Sequence, residues 1–139
     1  MECDRGNTRS IADGGLLLAV LVLSFAKWSA VSGRIQIQLR FSSSKVKPGD
    51  GELAILADLG RLDNLDLSGA PITNAGLEHL EHLTSLGFLN LSNTAVSDDG
   101  LRHLETLPRL RYLLLYGTRV SDEGVKRFHR ASPKVKVGR

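Results

Sequence analysis

Three histidines and two glutamates lie close together in the middle of the sequence and could bind a metal ion. His79 and His82 are three residues apart, Glu78 and Glu81 lie beside them, and His103 follows 24 residues after His79. Imidazole and carboxylate groups are zinc ligands, and this spacing would permit a surface site. However, the surrounding leucine pattern places these side chains on the solvent face of their helices, with no further groups to fix a geometry. We therefore expect ordinary exposed residues, and neither a metal nor a cofactor.

The sequence lacks the motifs that carry common catalytic chemistry. It contains no glycine-rich phosphate loop, no nucleophile elbow and no HExxH helix. The single cysteine, Cys3, excludes an intramolecular disulfide and a cysteine-based metal site. These features predict a protein that is not an enzyme.

Charge is distributed unevenly along the 139 residues, whose formal net charge is +3. Residues 50–107 contain two basic and ten acidic residues, whereas residues 119–139 contain seven basic and two acidic residues. A basic end can attract phosphate groups. The acidic middle and the lack of a nucleic-acid-binding motif argue against that partner. We expect no nucleic acid partner, because basic residues that keep a terminal cap soluble explain the pattern.

A repeat of 24 residues predicts the elements that position these side chains. Similar stretches begin at Leu67, Leu91 and Leu115. At this offset the following residues coincide: Leu62/Leu86/Leu110, Leu65/Leu89/Leu113, Ile72/Val96/Val120 and Gly76/Gly100/Gly124. Self-similarity at a fixed period of this length is the signature of a repeat architecture.

Each unit changes its hydrophobic period halfway. Leu65 and Leu67 alternate with polar residues, which predicts a strand, whereas Leu77, Leu80 and Leu83 are spaced by three, which predicts a helix. Neither element can bury its apolar face alone. Stacking successive units buries a continuous ladder of leucines.

Hydroxyl residues precede each predicted helix. Thr73, Ser97 and Ser121 occupy this position, where a side-chain oxygen can accept a hydrogen bond from the first free N–H groups. Acidic residues follow in two units, where they complement the positive helix end: Asp98, Asp99, Asp122 and Glu123. The glycine in the first turn would let each helix lie close to the neighbouring layer.

The pattern L-x-x-L-x-L-x-x-T-x-V, seen in residues 86–96 and 110–120, resembles that of the leucine-rich repeat family. The helical half "VSDDGLRHLETL" is similar to the ribonuclease-inhibitor-like and F-box-associated subclass, and especially to short bacterial leucine-rich repeat proteins. The resemblance implies an α/β solenoid, a right-handed β-α horseshoe fragment with parallel strands on its concave face and helices on its convex face. It also implies protein recognition through the concave face. Ala70 departs from the pattern, because it stands where Thr94 and Thr118 stand.

Residues between the inward-pointing leucines must face outward on the concave sheet, because side chains alternate along a strand. The predicted binding residues are Asn64, Asp66, Phe88, Asn90, Tyr112, Leu114 and Tyr116. This row is polar in its N-terminal half and aromatic or apolar in its C-terminal half. Exposed aromatic rings beside apolar groups are typical of interface hot spots. The alternative is that the rings cover the leucine ends of a short stack or pack under the C-terminal tail.

An irregular unit precedes the three regular ones. "RIQIQLRF", which ends at Phe41, alternates apolar and polar residues and predicts a capping strand. Two extra residues lie between Val46 and Leu53 in this unit. The predicted organisation is a repeat domain at residues 35–139. It comprises a capping repeat at 35–61, repeats at about 62–85, 86–109 and 110–133, and a terminal strand at 134–138.

Residues 1–34 form a separate N-terminal segment with an apolar run. Residues 16–26 contain only one polar residue, Ser24, which is short for a membrane span of ~20 residues but fits the hydrophobic region of a signal peptide. The basic residues that follow the run oppose export by the positive-inside rule. A signal, a membrane anchor through residues 11–31 and a buried capping helix are the alternatives. A membrane-anchored or exported location in a bacterial envelope is favoured over a cytoplasmic one.

The function predicted from the sequence is a non-catalytic interaction module with a protein partner of unidentified nature. One alternative is an adaptor or substrate-recognition subunit of a larger complex, although residues 1–34 contain no F-box-like segment. Another is a membrane-tethered structural spacer without a specific ligand. Because so few units bury a small fraction of their surface, self-association through the open end and a longer parent chain are further expectations.

Overall fold

Strands and helices alternate along the chain. The structure is a computed structural model that describes residues 27–31, 34–41, 47–57 and 61–139. The strands are β1 Lys27–Val31, β2 Arg34–Arg40, β3 Leu62–Asp66, β4 Phe88–Asn90, β5 Tyr112–Leu114 and β6 Lys136–Gly138. The helices are α1 Asp50–Ala57, α2 Asn74–Glu78, α3 Leu101–Leu104 and α4 Asp122–Ala131, and a 3₁₀ segment at His79–His82 continues α2.

The described strands form one sheet in the order β1-β2-β3-β4-β5-β6. β1 and β2 pair as an antiparallel hairpin, and β2 to β6 are parallel to one another. Leu65 lies opposite Leu89, and Leu89 opposite Leu113, so the register advances by the predicted 24 residues. Leu39 lies opposite Leu65, so the separation between β2 and β3 is two residues longer than the repeat period. The two extra residues predicted in the first unit are therefore accommodated between β2 and β3.

Each parallel strand is reached from the previous one through a crossover, since parallel neighbours cannot be joined by a tight turn. In this chain the crossovers carry α1, α2, α3 and α4 in turn. Strands consequently line the concave face and helices line the convex face. The leucine-rich repeat solenoid of class α/β that the sequence predicts is confirmed.

The core is a ladder of leucines that runs through all units between the two faces. Leu65, Leu89 and Leu113 in the strands have no exposed surface. The ladder begins with Leu39 and Phe41 in the first unit, both fully buried, and continues to residues of the last unit such as Phe128, which is 1% exposed. Fully burying such a side chain contributes about 1.5–3 kcal/mol. No single unit could achieve this burial, so the stack folds as a whole.

The spacing of three between Leu77, Leu80 and Leu83 has a local consequence. Helix α2 ends at Glu78 and tightens to a 3₁₀ helix from His79 to His82. Side chains three residues apart share one face of a 3₁₀ helix, and all three leucines are buried. The predicted helix therefore exists, with a tighter second half.

Two of the three predicted N-caps are confirmed and one is wrong. Thr73 Oγ1 accepts a hydrogen bond from the Ala75 N–H at 3.3 Å, and Ser121 Oγ accepts one from the Gly124 N–H at 3.0 Å. Ser97 does not cap α3, which begins only at Leu101. The Ser97 hydroxyl oxygen accepts a hydrogen bond from Asn74 Nδ2 of the preceding unit instead.

One side-chain position links each unit to the next. Asp50 accepts hydrogen bonds from the Thr73 N–H at 2.8 Å and from its hydroxyl at 2.5 Å. Asp98 accepts the equivalent bonds from Ser121 at 2.6 and 2.5 Å. These bonds join units at residues 23 apart in sequence. The sequence predicted that Asp98 complements the N-terminus of its own helix. In the structure, its carboxylate accepts hydrogen bonds from the next unit.

The turns after the strands need a left-handed backbone at one position. Gly69, Asn93 and Gly117 have φ angles of 66°, 57° and 66°, a region that glycine and asparagine tolerate best. The Thr94 and Thr118 hydroxyls donate to the carbonyl oxygens three residues before them, at 2.6 and 2.7 Å. In the other two units, the hydroxyl at the position of Ala70 thus donates a hydrogen bond to a backbone carbonyl oxygen, and Ala70 cannot make this bond.

The N-terminal segment is described only in part. Residues 1–26 lie outside the described residues, and so does most of the stretch 11–31 assigned to a signal, an anchor or a capping helix. Its last five residues, Lys27–Val31, form strand β1. Among the residues that the structure describes, no helix has the length and apolar character needed to cross a membrane.

Candidate binding surface on the concave face

The predicted binding residues lie in rows across the parallel strands. Asn64 lies opposite Phe88, Phe88 opposite Tyr112, and Tyr112 opposite Lys136. The neighbouring row is Asp66, Asn90, Leu114 and Gly138. Because residues two apart in a strand share a face, both rows lie on the same side of the sheet, opposite to the leucine ladder.

A groove of about 480 Å³ runs along the N-terminal half of this face. The residues that line it are Gln38, Leu39, Arg40, Asn64, Asp66, Phe88, Asn90 and Leu114. Five of the seven predicted binding residues therefore line one groove, which we call the concave groove. The two others, Tyr112 and Tyr116, are not among its lining residues.

The polar residues of the concave groove are held by short-range hydrogen bonds. Asp66 is 7% exposed, and its Oδ1 accepts a hydrogen bond from the Ser68 N–H at 3.1 Å. Asn90 Oδ1 accepts the equivalent bond from the Ser92 N–H at 3.0 Å. These bonds fix the two side chains against the sheet. Asn90, Leu91 and Ser92 match the N-x-S glycosylation sequon, and its asparagine side chain is thus engaged in a turn.

One cation of the concave groove lies close to a carboxylate. Arg40 Nε lies 3.9 Å from Asp66 Oδ2, and the arginine side chain is 69% exposed while that of the aspartate is 10% exposed. An ion pair with one exposed partner contributes little to stability. Its consequence here is that Arg40 balances the charge of Asp66.

The C-terminal half of the concave face exposes aromatic side chains. Tyr112 and Tyr116 are 49% and 51% exposed, and with Ile55 at 37% they are the exposed large hydrophobic residues of the described part of the chain. Leu114 lies between them in sequence and is partly buried. We call Tyr112, Leu114 and Tyr116 the tyrosine patch.

Strand β6 adds two features to the tyrosine patch. Lys136 Nζ lies 5.7 Å from the centre of the Tyr112 ring, within the range of a cation–π contact. Gly138 leaves room beside Leu114 and Tyr116, since a Cβ there would lie 2.6 Å from Leu114 Cδ2 and 3.1 Å from the Tyr116 hydroxyl. The absence of a side chain at Gly138 thus lets both residues occupy the end of the sheet.

The histidines and glutamates that the sequence places close together do not converge on one point. His103 Nδ1 forms a hydrogen bond with Glu81 Oε1 across two units. His82 is exposed and His79 is partly buried. Within the described ranges, no group of three or more histidine, cysteine or acidic side chains is arranged to hold a metal ion.

Sequence reasoning located the outward rows and their polar and aromatic halves, but missed the hydrogen bonds that hold the polar half and the place of Gly138 beside the aromatic half. Asp66 and Asn90 each accept a hydrogen bond from the N–H two residues later, which is a common local motif of these side chains. Because the two residues are 24 positions apart, the repeat could have predicted that they make the same bond. The place of Gly138 beside Tyr116 depends on the register of β6. That register follows the same period, Leu114 to Gly138.

The sequence matches no protein-family model and no curated protein. Solved structures to which the chain is similar include a leucine-rich repeat protein of Leptospira interrogans, at a TM-score of 0.46 and 21% identity. An internalin of Listeria monocytogenes is similar at a TM-score of 0.45 and 21% identity. Each similarity covers 62% of this chain, and the chain spans 27% of the former protein and 30% of the latter.

Proposed function

We propose that this chain is a non-catalytic interaction module that binds a protein partner through the concave strand face, with the tyrosine patch as its principal contact. The observation that carries the proposal is the half-exposure of two tyrosines, one at the start of strand β5 and one in the turn that follows it. A stack that buries its leucines almost completely leaves these two large rings accessible.

The chemistry of the tyrosine patch supports a protein partner. Tyrosine offers a large apolar ring and a hydroxyl, and loses little conformational freedom on binding, which is why it is enriched at interface hot spots. The concave groove continues from Leu114 toward the hairpin strand β2. A bound segment could therefore place an apolar side chain on the tyrosines and polar groups along Asn64 and Asn90.

The proposal includes membership of the ribonuclease-inhibitor-like or short bacterial subclass and a repeat domain at residues 35–139. The 24-residue period and the helical convex elements α2 and α4 support this assignment. It includes no catalytic step, in keeping with the absence from the sequence of phosphate-loop, nucleophile-elbow and HExxH motifs.

The double substitution Tyr112→Ala with Tyr116→Ala tests the proposal. We expect the fold to persist, because neither ring belongs to the leucine ladder, and partner affinity to fall by at least about tenfold, as truncation of a hot spot does. The partner would be captured from a cell extract with the wild-type protein, identified, purified and titrated against both proteins. Circular dichroism would establish that the variant is folded.

Ile55→Ala provides the matched control. Ile55 is the other exposed large hydrophobic residue of the described chain, at 37%, and it lies in α1 on the convex side. Its removal should leave partner affinity unchanged. Equal affinity of the wild-type protein and the tyrosine double variant would refute the proposed binding face.

A further inference from the structure

The C-terminal part of the stack carries a large excess of positive charge. Residues 109–139 contain nine basic and two acidic side chains. Both acids are paired within the segment: Asp122 with Arg139, and Glu123 with Lys126 at 3.8 Å. An excess of unpaired cations on one part of a surface attracts anionic groups.

Seven cations of this segment have no carboxylate within 4 Å among the described residues, and all seven are exposed. They are Arg109, Arg111, Arg119, Arg127, Arg130, Lys134 and Lys136. This differs from the N-terminal half of the concave face, where Arg40 is matched by Asp66. Cations without a carboxylate within 4 Å are therefore concentrated in the C-terminal part of the stack, which also carries the tyrosine patch.

Four of the seven lie at one edge of the sheet. Arg109 and Arg111 lie within the three residues before β5, Lys134 lies two residues before β6, and Lys136 is the first residue of β6. The two strands are parallel neighbours, and the Lys136 N–H donates to the Arg111 carbonyl oxygen at 2.8 Å. Because parallel strands begin at the same edge, these four cations flank the tyrosine patch from one side. We call them the basic edge.

The contact between Lys136 and Tyr112 joins the basic edge to the tyrosine patch. An anionic group bound to Lys136 would therefore lie next to an exposed ring. We infer that the partner presents an acidic segment in which an aromatic or apolar side chain is flanked by carboxylates, the former packing on the tyrosine patch and the latter facing the basic edge. This inference rests on the proposed function and specifies the chemistry of the ligand.

A nucleic acid strand would fit the same features less well. Exposed rings and cations can also serve as a stacking platform for bases. However, a nucleic acid carries a phosphate at every nucleotide, whereas the face continues from the tyrosine patch into the concave groove, where Asp66 balances Arg40 and the other polar side chains are neutral amides. A peptide, in contrast, can have carboxylates near one end and neutral residues along the rest of its length. The mixed character of the face thus favours an acidic peptide.

The experiment is a selection from a displayed library of random peptides of about ten residues, long enough at ~3.3 Å per residue to cross the sheet. Peptides that also bind the Tyr112→Ala/Tyr116→Ala variant are removed first. We expect the enriched peptides to combine an aromatic or large apolar residue with two or more carboxylates. Their affinity should fall at least about tenfold in Arg111→Glu/Lys136→Glu, since charge reversal converts attraction into repulsion.

Lys126→Glu/Arg130→Glu is the charge-matched control on α4. Both side chains are exposed. Lys126 forms an ion pair with Glu123 in which both side chains are about two-thirds exposed, so its loss should change the free energy of unfolding little. This variant should bind the selected peptides like the wild type. A peptide with lysines in place of its acids should regain affinity for Arg111→Glu/Lys136→Glu, which also shows that this variant is folded.

Three results would overturn the inference. Tyrosine-dependent peptides without excess acid would do so while leaving the proposed function intact. No tyrosine-dependent peptide at all would also overturn it, and the capture experiment would then judge the proposed function separately. Binding of an oligothymidylate as tight as that of the best peptide would replace the acidic peptide by a nucleic acid.

Discussion

At the scale of single residues, hydrogen bonds from one position that recurs every 24 residues link neighbouring units. Asp50, Asn74 and Asp98 each reach from the start of one helical segment to the hydroxyl residue of the next unit. Asn74 uses both ends of its amide: Oδ1 accepts from the Ser97 N–H at 2.9 Å, and Nδ2 donates to the Ser97 hydroxyl oxygen at 2.8 Å.

Asp98 makes this link sensitive to pH. Hydrogen bonds from the hydroxyl and the N–H of Ser121 hold the pKa of Asp98 below its ordinary value, with Arg127 and Arg139 adding to the effect and burial opposing it. Because the folded pKa is depressed, the stabilisation is fully present above the pKa of an unfolded aspartate, about 4. It is lost as the pH falls through the lower, folded pKa.

Asp98→Asn should remove this part of the acid sensitivity while keeping the link. An asparagine can repeat the bonds that Asn74 makes one unit earlier. We expect the free energy of unfolding in denaturant to fall less between about pH 6 and about pH 3 in the variant than in the wild type. The account of Asp98 would be wrong if both proteins lost the same free energy over this interval.

At the scale of elements, the recurring glycine is what allows each helix to approach the preceding unit. A Cβ at Gly76 would lie 2.3 Å from Asp50 Oδ1, and one at Gly124 would lie 2.2 Å from Asp98 Oδ1. The sequence predicted a close approach at these glycines. It did not reveal that the approaching group is a carboxylate, because that contact joins residues of different units.

Gly124→Ala should destabilise the protein. The new Cβ would displace the Asp98 carboxylate from Ser121, and two hydrogen bonds to a charged group outweigh the ~1 kcal/mol that alanine gains in a helix. We expect a net loss of about 1–2 kcal/mol in thermal or denaturant unfolding.

Gly51→Ala is the matched substitution in α1. Nothing lies within 4 Å of a Cβ built at Gly51, so the helical preference of alanine acts alone and should stabilise by up to about 1 kcal/mol. Equal effects of the two substitutions would show that the glycine at position 124 is not required by the neighbouring unit.

The boundaries of the elements were less predictable than their order. The 24-residue period determined the strand register, and strands β4 and β5 lie where Leu89 and Leu113 indicated. Helix α3, in contrast, has only four residues, and a turn at residues 98–100 separates it from Ser97. Ser97 accepts a hydrogen bond from Asn74 and pairs in a bridge with Arg119, so its contacts join neighbouring units and it does not cap α3.

At the scale of the whole molecule, alternation along the strands separates the face that packs in the core from the outward face that we propose for binding. The inward leucines specify the solenoid, and this part follows from hydrophobic periodicity alone. The outward row and its polar and aromatic halves were also predictable, but the burial of Asp66 and the exposed fraction of the tyrosines were not. Whether an outward side chain is covered depends on its neighbours in the sheet, as the different exposure of Asp66 and Tyr112 shows.

The most direct test of the account is to ask which face of the molecule touches its partner. A photo-crosslinking amino acid would replace Tyr112 on the concave face or Arg130 on α4, both of which are exposed. After irradiation of cells that express each protein, we expect a discrete covalent adduct from position 112 and none from position 130. An adduct from position 130 alone would place the partner on the convex face and contradict the account.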